Sequence, residues 1–139
     1  MIVLVAEDEA ITALLLDMAL RAAGHQVLGP AATVKEALEL AEHTKPDLAL
    51  LDIRLLDEGD GVWLARALCE RSGVPSLFLS GQTAQARAAS DCAIGLLGKP
   101  YEPQEVVAAV AAVSELLAGR WPVQKPARLE LFRDRGDTA

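Results

Sequence analysis

The short apolar runs of this chain most constrain its fold, because they show no alternation of apolar and polar residues. A strand with one face in water alternates, whereas a continuous apolar run needs cover on both faces. Each run is followed by a stretch with helical periodicity or propensity, and this succession predicts a parallel sheet between two helix layers. We therefore predict an α/β protein with a doubly wound, five-stranded parallel sheet. The predicted strands are Ile2 to Val5, Val27 to Leu28, Leu48 to Leu51, Pro75 to Leu79 and Ile94 to Leu97.

The first predicted helix follows an acidic cluster and carries apolar residues at helical spacing. These residues form one stripe, and Gly24 is placed to end the helix. Further helices are predicted from Thr33 to about His43, after Gly61, from Thr83 to Ala89 and from Pro103 to Ala118. The stripe of the first helix consists of Ile11, Leu14, Leu15, Met18, Ala19 and Ala22.

Length and charge exclude several classes of protein. A chain of 139 residues can bury a core as one domain without disulfides or a structural metal. Its longest apolar run, from Val106 to Val113, is far shorter than the roughly 20 residues of a membrane-spanning helix, and its amino terminus does not resemble a signal peptide. The net charge of −7 disfavours nucleic acid as a partner. We expect a cytoplasmic protein, in which Cys69 and Cys92 are small packing residues with no redox role.

Polar side chains directly follow four of the five predicted strands. In an open parallel sheet, ligands bind at the carboxyl ends of the strands, in the crevice where the strand order reverses. For the strand order 2-1-3-4-5 this crevice lies between strands 1 and 3, which brings their polar residues together. The polar residues are Glu7 and Asp8 after strand 1, Asp52 after strand 3, Ser80 after strand 4 and Lys99 after strand 5.

The three carboxylates at this edge, Glu7, Asp8 and Asp52, would repel one another unless a cation joins them. Oxygen ligands of this kind favour Mg²⁺, with Mn²⁺ as a plausible substitute. Lys99 and Ser80 can donate hydrogen bonds to a phosphoryl group, and an aspartate can be its nucleophilic acceptor. Taken singly, each carboxylate could instead cap the next helix, and Lys99 could be a solvated surface charge. Their joint placement at one sheet edge favours a functional site.

This constellation resembles the receiver domain of two-component response regulators, the CheY-like superfamily. The residues that carry the resemblance are Glu7-Asp8, Asp52, Ser80 and Lys99-Pro100. The resemblance implies a flavodoxin-like (βα)5 receiver fold over residues 1–119, with a cis peptide before Pro100. It also implies that Asp52 accepts a phosphoryl group from a histidine kinase or a histidine phosphotransfer protein in a Mg²⁺-dependent reaction. Its implied metal ligands are Glu7, Asp8, Asp52 and the backbone carbonyl of Arg54, while Ser80 moves toward the phosphoryl group and Lys99 binds it.

The resemblance implies a signalling protein and no enzyme beyond its own phosphorylation and dephosphorylation. Phosphorylation would change the face formed by helix 4, strand 5 and helix 5, which would contact a downstream protein or a second copy of the chain. Leu96 departs from the family, because many receivers carry there a Tyr or Phe that moves with the serine, and Tyr101 is out of register for that role. The alternative function is a receiver-like scaffold or dimerisation module that acts without phosphotransfer.

Residues 120–139 differ in composition from the rest of the chain. Residues 1–119 carry 8 basic and 17 acidic side chains, a net charge of −9, whereas residues 120–139 carry 5 and 3, a net charge of +2. We expect a tail or arm that forms no separate domain and is too short for a DNA-binding domain. The tail could be a frayed terminus, a dimerisation arm using Trp121 and Phe132, or a linker to a lost output domain.

Overall fold

The computed structural model describes residues 1–55, 60–81, 83–122 and 124–132. In this part of the chain, strands and helices alternate as the sequence predicts, with bounds that differ from the predicted ones by a few residues. The elements are β1 (Ile2–Ala6), α1 (Ala10–Ala22), β2 (Gln26–Ala31), α2 (Val34–His43), β3 (Leu48–Leu51), α3 (Gly61–Ser72), β4 (Ser76–Ser80), α4 (Thr83–Ala88), β5 (Gly95–Gly98), α5 (Pro103–Leu117) and β6 (Leu129–Leu131).

The sheet has the order β2-β1-β3-β4-β5-β6. Its first five strands are parallel, which confirms the predicted fold class and the order 2-1-3-4-5. The sixth strand, from the tail, pairs antiparallel with β5, so the sheet is six-stranded and mixed rather than five-stranded and wholly parallel. The sequence did not indicate β6, because three residues are too few for a periodic signal and because the pairing depends on contacts distant in sequence.

The apolar strands are buried on both faces, as their lack of alternation predicts. Leu48 and Leu50 of β3 lie in the core on the α1 and α5 side. Ala49 and Leu51 of the same strand lie in the core on the other side, together with residues of α2, α3 and α4. Two helix layers therefore cover the sheet and leave its carboxyl edge open for a site. None of the described helices is long and apolar enough to span a membrane.

Most of the apolar stripe predicted on α1 faces away from the core. The large side chains of that stripe are between 45% and 67% exposed, and they are Ile11, Leu14, Leu15 and Met18. The face that packs on the sheet consists instead of Ala13, Leu16 and Leu20. Because α1 is apolar on two faces, spacing alone could not identify the buried one. The exposed row is named the α1 stripe below.

Candidate functional site

Asp52 lies at the carboxyl end of β3, and backbone hydrogen bonds fix its position. Its N–H donates to the carbonyl of Ala6 at the end of β1, at 2.9 Å. Its Oδ1 accepts a hydrogen bond from the N–H of Ile53 at 2.7 Å, and its Oδ2 receives one from Lys99 Nζ at 3.1 Å. The Asp52 side chain is 13% exposed. One carboxylate oxygen is therefore oriented by the backbone, while the other faces a cation.

Gly61, the first residue of α3, packs directly against the backbone of Asp52. The Gly61 N–H donates to the carbonyl of Ile53 at 2.7 Å. A Cβ at position 61 would lie 2.8 Å from the Cα of Ile53 and would overlap the carbonyl oxygen of Asp52. Only glycine fits this contact, so the start of α3 supports the segment that carries Asp52. Sequence reasoning placed Gly61 in a loop and gave it no role.

Glu7 and Asp8 follow β1 and meet Asp52 across the sheet edge. One ligand oxygen from each of the three carboxylates lies within 4.8 Å of the others. Glu7 is buried, and its Oε2 accepts the N–H of Glu9 at 3.1 Å. Its Oε1 forms a 3.5 Å ion pair with Lys99 Nζ and receives no hydrogen bond from the described residues. The structure thus brings together the three carboxylates that the sequence predicted to meet.

Burial and charge perturb the protonation of this cluster. Burial raises the pKa of the Glu7 carboxyl; the Glu9 N–H and Lys99 act in the opposite direction, and repulsion from Asp52 and Asp8 adds to the rise. Burial by itself would lower the pKa of the Lys99 ammonium, but its contacts with Asp52 and Glu7 outweigh burial and raise that pKa. Relative to a free side chain, the charged form of Lys99 is therefore favoured and the charged form of Glu7 is disfavoured.

The donor set of this cluster fits a hard divalent cation. All three residues offer oxygen ligands, and Glu7 Oε1 is a buried acceptor that the described residues leave without a hydrogen bond. Mg²⁺ prefers oxygen ligands and uses few protein carboxylates, while zinc and copper sites usually contain His or Cys. Arg54 lies beside the site, where it forms an isolated β-bridge with Asp60. Its backbone carbonyl as a metal ligand stays a prediction.

Ser80 and Lys99 lie on the neighbouring strand ends. Ser80 is buried as the last residue of β4, and its carbonyl accepts the N–H of Lys99 at 3.2 Å. The Lys99–Pro100 peptide bond is cis, as the resemblance implied, and Gly29–Pro30 is also cis. The structure therefore places the backbones of Ser80 and Lys99 side by side and the Lys99 ammonium on Asp52. The roles of both side chains toward a phosphoryl group stay predictions.

Leu96 and Tyr101 are two further residues of interest for this site. Leu96, at the position where receivers often carry an aromatic residue, is buried in the core on the α2, α3 and α4 side. The Tyr101 hydroxyl is buried and has no hydrogen-bond partner among the described residues. Burial raises the pKa of that hydroxyl, and the nearby negative charges of Glu7 and Asp52 raise it further. The sequence analysis considered Tyr101 only as the moving aromatic residue and set it aside; its burial near Glu7 and Asp52 is a finding of the structure.

Comparisons with known proteins agree with this geometry. The chain is 32% identical over 111 residues to the transcriptional regulatory protein PdtaR of Mycobacterium tuberculosis, covering 78% of this chain and 54% of that protein. It is 31% identical over 111 residues to the phyllosphere-induced regulator PhyR of Methylorubrum extorquens, covering 78% of this chain and 42% of that protein. The chain thus spans about half the length of these curated relatives.

A solved structure and a family profile extend the comparison. The signal receiver domain of a modulated diguanylate cyclase from Desulfovibrio desulfuricans superposes with a TM-score of 0.72 at 30% identity, covering 84% of this chain and 97% of that one. The sequence profile of the response regulator receiver domain matches residues 3–111. The chain therefore belongs to the response regulator receiver domain family.

Proposed function

We propose that the protein is a signalling response regulator in which the Asp52 carboxylate accepts a phosphoryl group. The observation that carries this proposal is the position of Asp52 Oδ2, 3.1 Å from Lys99 Nζ and within a cluster of three carboxylates. An acceptor oxygen beside both a cation and a metal-binding cluster is the arrangement that phosphoryl transfer requires, because charge on the transferred group must be neutralised.

The transfer step involves one bond made and one bond broken. An Asp52 carboxylate oxygen attacks phosphorus, and the P–N bond of a phosphohistidine in the donor protein breaks. The electron pair of that bond stays on the donor imidazole, which takes up a proton from solvent. The product is an acyl phosphate on Asp52, which water can later hydrolyse. The protein is thus a substrate and partner in signalling, with no further enzymatic activity.

In this proposal, three carboxylates bind the metal ion and Lys99 binds the phosphoryl group. Glu7, Asp8 and Asp52 would hold Mg²⁺ together with the carbonyl of Arg54, and Mn²⁺ could take its place. A bound divalent ion supplies positive charge for the phosphoryl oxygens. Lys99, released from its contacts with Asp52 and Glu7, would pair with a phosphoryl oxygen. Ser80 would move toward the site and donate its hydroxyl to another phosphoryl oxygen.

The α1 stripe offers the phosphoryl donor a place to dock. It begins at Ile11, three residues after Asp8, so a protein bound on α1 can reach the site. Its large side chains are about half exposed or more, and an apolar row of this kind on a helix is suited to the helical surface of another protein. We propose that a histidine kinase or a histidine phosphotransfer protein covers this stripe while it delivers the phosphoryl group.

The product of phosphorylation is a changed protein-binding face. We propose that α4, β5 and α5, together with β6 on the β5 edge, form the surface that meets a downstream protein or a second copy of the chain. We further propose that residues 1–119 form the receiver domain and that the described segment 124–132 is an arm that adds β6 to its sheet. This function places the protein in the cytoplasm. The scaffold alternative would retain the binding face but leave Asp52 unmodified.

Phosphorylation by a small donor tests the function directly. We expect acetyl phosphate with Mg²⁺ to add the mass of one phosphoryl group to the intact protein, because the site needs no donor protein to supply the chemistry. The adduct should disappear in Asp52→Asn and with a chelator, and it should persist in the control Asp47→Asn. If wild-type protein forms no adduct that depends on Asp52, the scaffold function replaces the one proposed here.

A second test separates docking from chemistry. Leu14→Glu and Met18→Glu should leave phosphorylation by acetyl phosphate unchanged, since both side chains are exposed and lie outside the site. Transfer from a phosphorylated histidine phosphotransfer protein should fall at least tenfold in both variants. Equal loss of both reactions, or no loss of either, would show that the α1 stripe does not receive the donor.

A further inference from the structure

We name the last described segment of the chain, residues 124–132, the strap; its residues 129–132 lie along the edge of β5. Leu129, Glu130 and Leu131 pair antiparallel with Leu97, Leu96 and Gly95. The N–H of Phe132 donates to the carbonyl of Ile94 at 3.0 Å and extends the ladder by one bond. Leu129 and Leu131 are buried in the core on the α1 and α5 side, while Phe132 packs against the opposite core.

The space that a side chain at position 95 would occupy is filled by the strap. A Cβ at position 95 would lie 2.6 Å from the carbonyl oxygen of Glu130 and 3.3 to 3.4 Å from atoms of Leu131. The three nearest atoms all belong to the strap. A side chain at position 95 would therefore collide with the strap before it met any other part of the domain.

Two polar contacts attach the strap to the segments that leave the site. On one side, the guanidinium of Arg87 on α4 donates from Nε to both Glu130 oxygens at 3.0 Å and from Nη2 to Oε1 at 2.8 Å. On the other side, the guanidinium of Arg128 donates to the carbonyl of Pro100. These contacts are named the α4 anchor and the Pro100 anchor.

Each anchor is close in sequence to a polar residue of the site. Pro100 directly follows Lys99, whose ammonium contacts Asp52 and Glu7. Helix α4 begins three residues after Ser80. A change at Asp52 that draws Ser80 and Lys99 toward a new group therefore acts on both anchors of one short strand.

The strap uses part of its own outer edge. The N–H of Leu129 donates to the carbonyl of Pro126 at 3.0 Å, and Lys125 Nζ donates to the carbonyl of Leu129 at 3.0 Å. Both backbone groups of Leu129 are thus paired within the strap itself. This pairing reduces the number of groups that the edge strand offers to another chain.

We propose that the strap is a displaceable occupant of the β5 edge, which it holds in the unphosphorylated protein and leaves when Asp52 is phosphorylated. The proposal rests on the phosphoacceptor function proposed above. The strap pairs with β5 over three residues, and its two anchors add to the burial of Leu129 and Leu131 in holding it there. Its departure would expose the backbone of β5 beside α4.

Hydrogen exchange at the strap amides tests the release. Beryllium trifluoride with Mg²⁺ serves as a stable substitute for the phosphoryl group, and its binding is followed by NMR shifts of Ser80 and Lys99. We expect loading to accelerate exchange of the Phe132 amide at least tenfold in the 139-residue chain, while the β3 amides stay protected. Asp52→Asn should show neither the shifts nor the acceleration.

Charge exchange at the α4 anchor tests the coupling from the opposite direction. Arg87→Glu and Glu130→Arg should each accelerate Phe132 exchange without loading, and the double variant should restore slow exchange. Coupling between two equilibria is reciprocal, so each single variant should bind beryllium trifluoride two- to fivefold more tightly than wild type, and the double variant should bind as wild type does. Gly95→Ala provides an independent variant that displaces the strap by collision and should behave like the single variants.

The outcomes separate this inference from the function on which it rests. If Ser80 and Lys99 respond to loading but Phe132 exchange is unchanged or slower, the strap is a fixed part of the fold and the release is wrong, while the phosphoacceptor function stands. If loading shifts neither Ser80 nor Lys99, the phosphoacceptor function fails and the release fails with it. If single anchor variants loosen the strap without changing affinity for beryllium trifluoride, strap and site are uncoupled.

Discussion

The negative charge of Asp8 repels the carboxylates of Glu7 and Asp52 in the folded protein, which disfavours folding. The same charge would favour the binding of Mg²⁺. We therefore predict that Asp8→Asn stabilises the protein without Mg²⁺ and forfeits the stabilisation that Mg²⁺ provides. No helix cap is lost in this variant, because Glu9 and not Asp8 caps α1 by accepting the N–H of Thr12. The change thus removes one negative charge from the cluster and retains the shape of the side chain.

The magnitude follows from the geometry of the cluster. Two unit charges 4.8 Å apart, the largest separation within the ligand set, repel by about 0.9 kcal/mol at a dielectric constant near 80 and by about 3.5 kcal/mol near 20. Asp8 meets two such charges, those of Glu7 and Asp52. Asp8 is only half-buried, so solvent keeps the effective dielectric constant nearer the higher of the two values. Without metal, Asp8→Asn should raise the free energy of unfolding by about 1–3 kcal/mol at low salt.

Saturating Mg²⁺ should make the wild-type protein more stable than Asp8→Asn. Mg²⁺ at 100 times its dissociation constant stabilises the native state by about 2.7 kcal/mol, and the variant, with one ligand fewer, should gain much less. Urea unfolding at low ionic strength, with chelator and then with increasing Mg²⁺, measures both effects. Glu42→Gln on the exposed surface of α2 is the control for net charge. The reasoning fails if Asp8→Asn is less stable than wild type in chelator, or if Glu42→Gln gains as much.

Three further substitutions test individual contacts of the site. Gly61→Ala should lower the free energy of unfolding by about 2–3 kcal/mol, because a Cβ there overlaps the backbone of Asp52. The control is Gly98→Ala, whose Cβ would meet open space. In the same urea titration it should change the free energy of unfolding by less than about 0.5 kcal/mol. Burial raises the pKa of Glu7 above its unfolded value, so the ionised form disfavours folding at neutral pH. In chelator, Glu7→Gln should therefore melt at a higher temperature than wild type at pH 7, and this difference should vanish as the pH falls below the ordinary pKa of a glutamate; a difference independent of pH would contradict the assignment. Tyr101→Phe removes a buried hydroxyl without a described partner and should leave stability unchanged or raise it by up to about 1 kcal/mol, so a clear loss in chemical denaturation would reveal a hydrogen bond.

The strands and the polar residues at their carboxyl ends were predictable because both depend on local sequence, whereas the order 2-1-3-4-5 came with the type of fold. A continuous apolar strand such as Leu48–Leu51 needs helices on both faces, and a polar residue directly after it must lie at the carboxyl edge. The meeting of Glu7, Asp8 and Asp52 follows from those two facts once strands 1 and 3 are neighbours. The position of these three residues at one edge of the sheet therefore follows from where each stands after its strand.

Features that depend on distant contacts were not predictable in the same way. Helix α1 is apolar on two faces, so the periodicity that identified the helix could not show that Leu14 and Met18 remain exposed. The strand β6 depends on the space above Gly95 and on Arg87, which precedes Glu130 by 43 residues. In both cases the deciding information lies in a neighbouring element and not in the segment itself.

In the proposed function, the Asp52 carboxylate carries the phosphoryl group. Borohydride reduces an acyl phosphate to an alcohol, so treatment of the acetyl phosphate-loaded protein, followed by peptide mass spectrometry, locates the modified residue. The proposed function predicts homoserine at position 52 in the presence of Mg²⁺ and unmodified aspartate in its absence. Reduction at Glu7, at Asp8 or at a residue outside the cluster, with Asp52 intact, would contradict it.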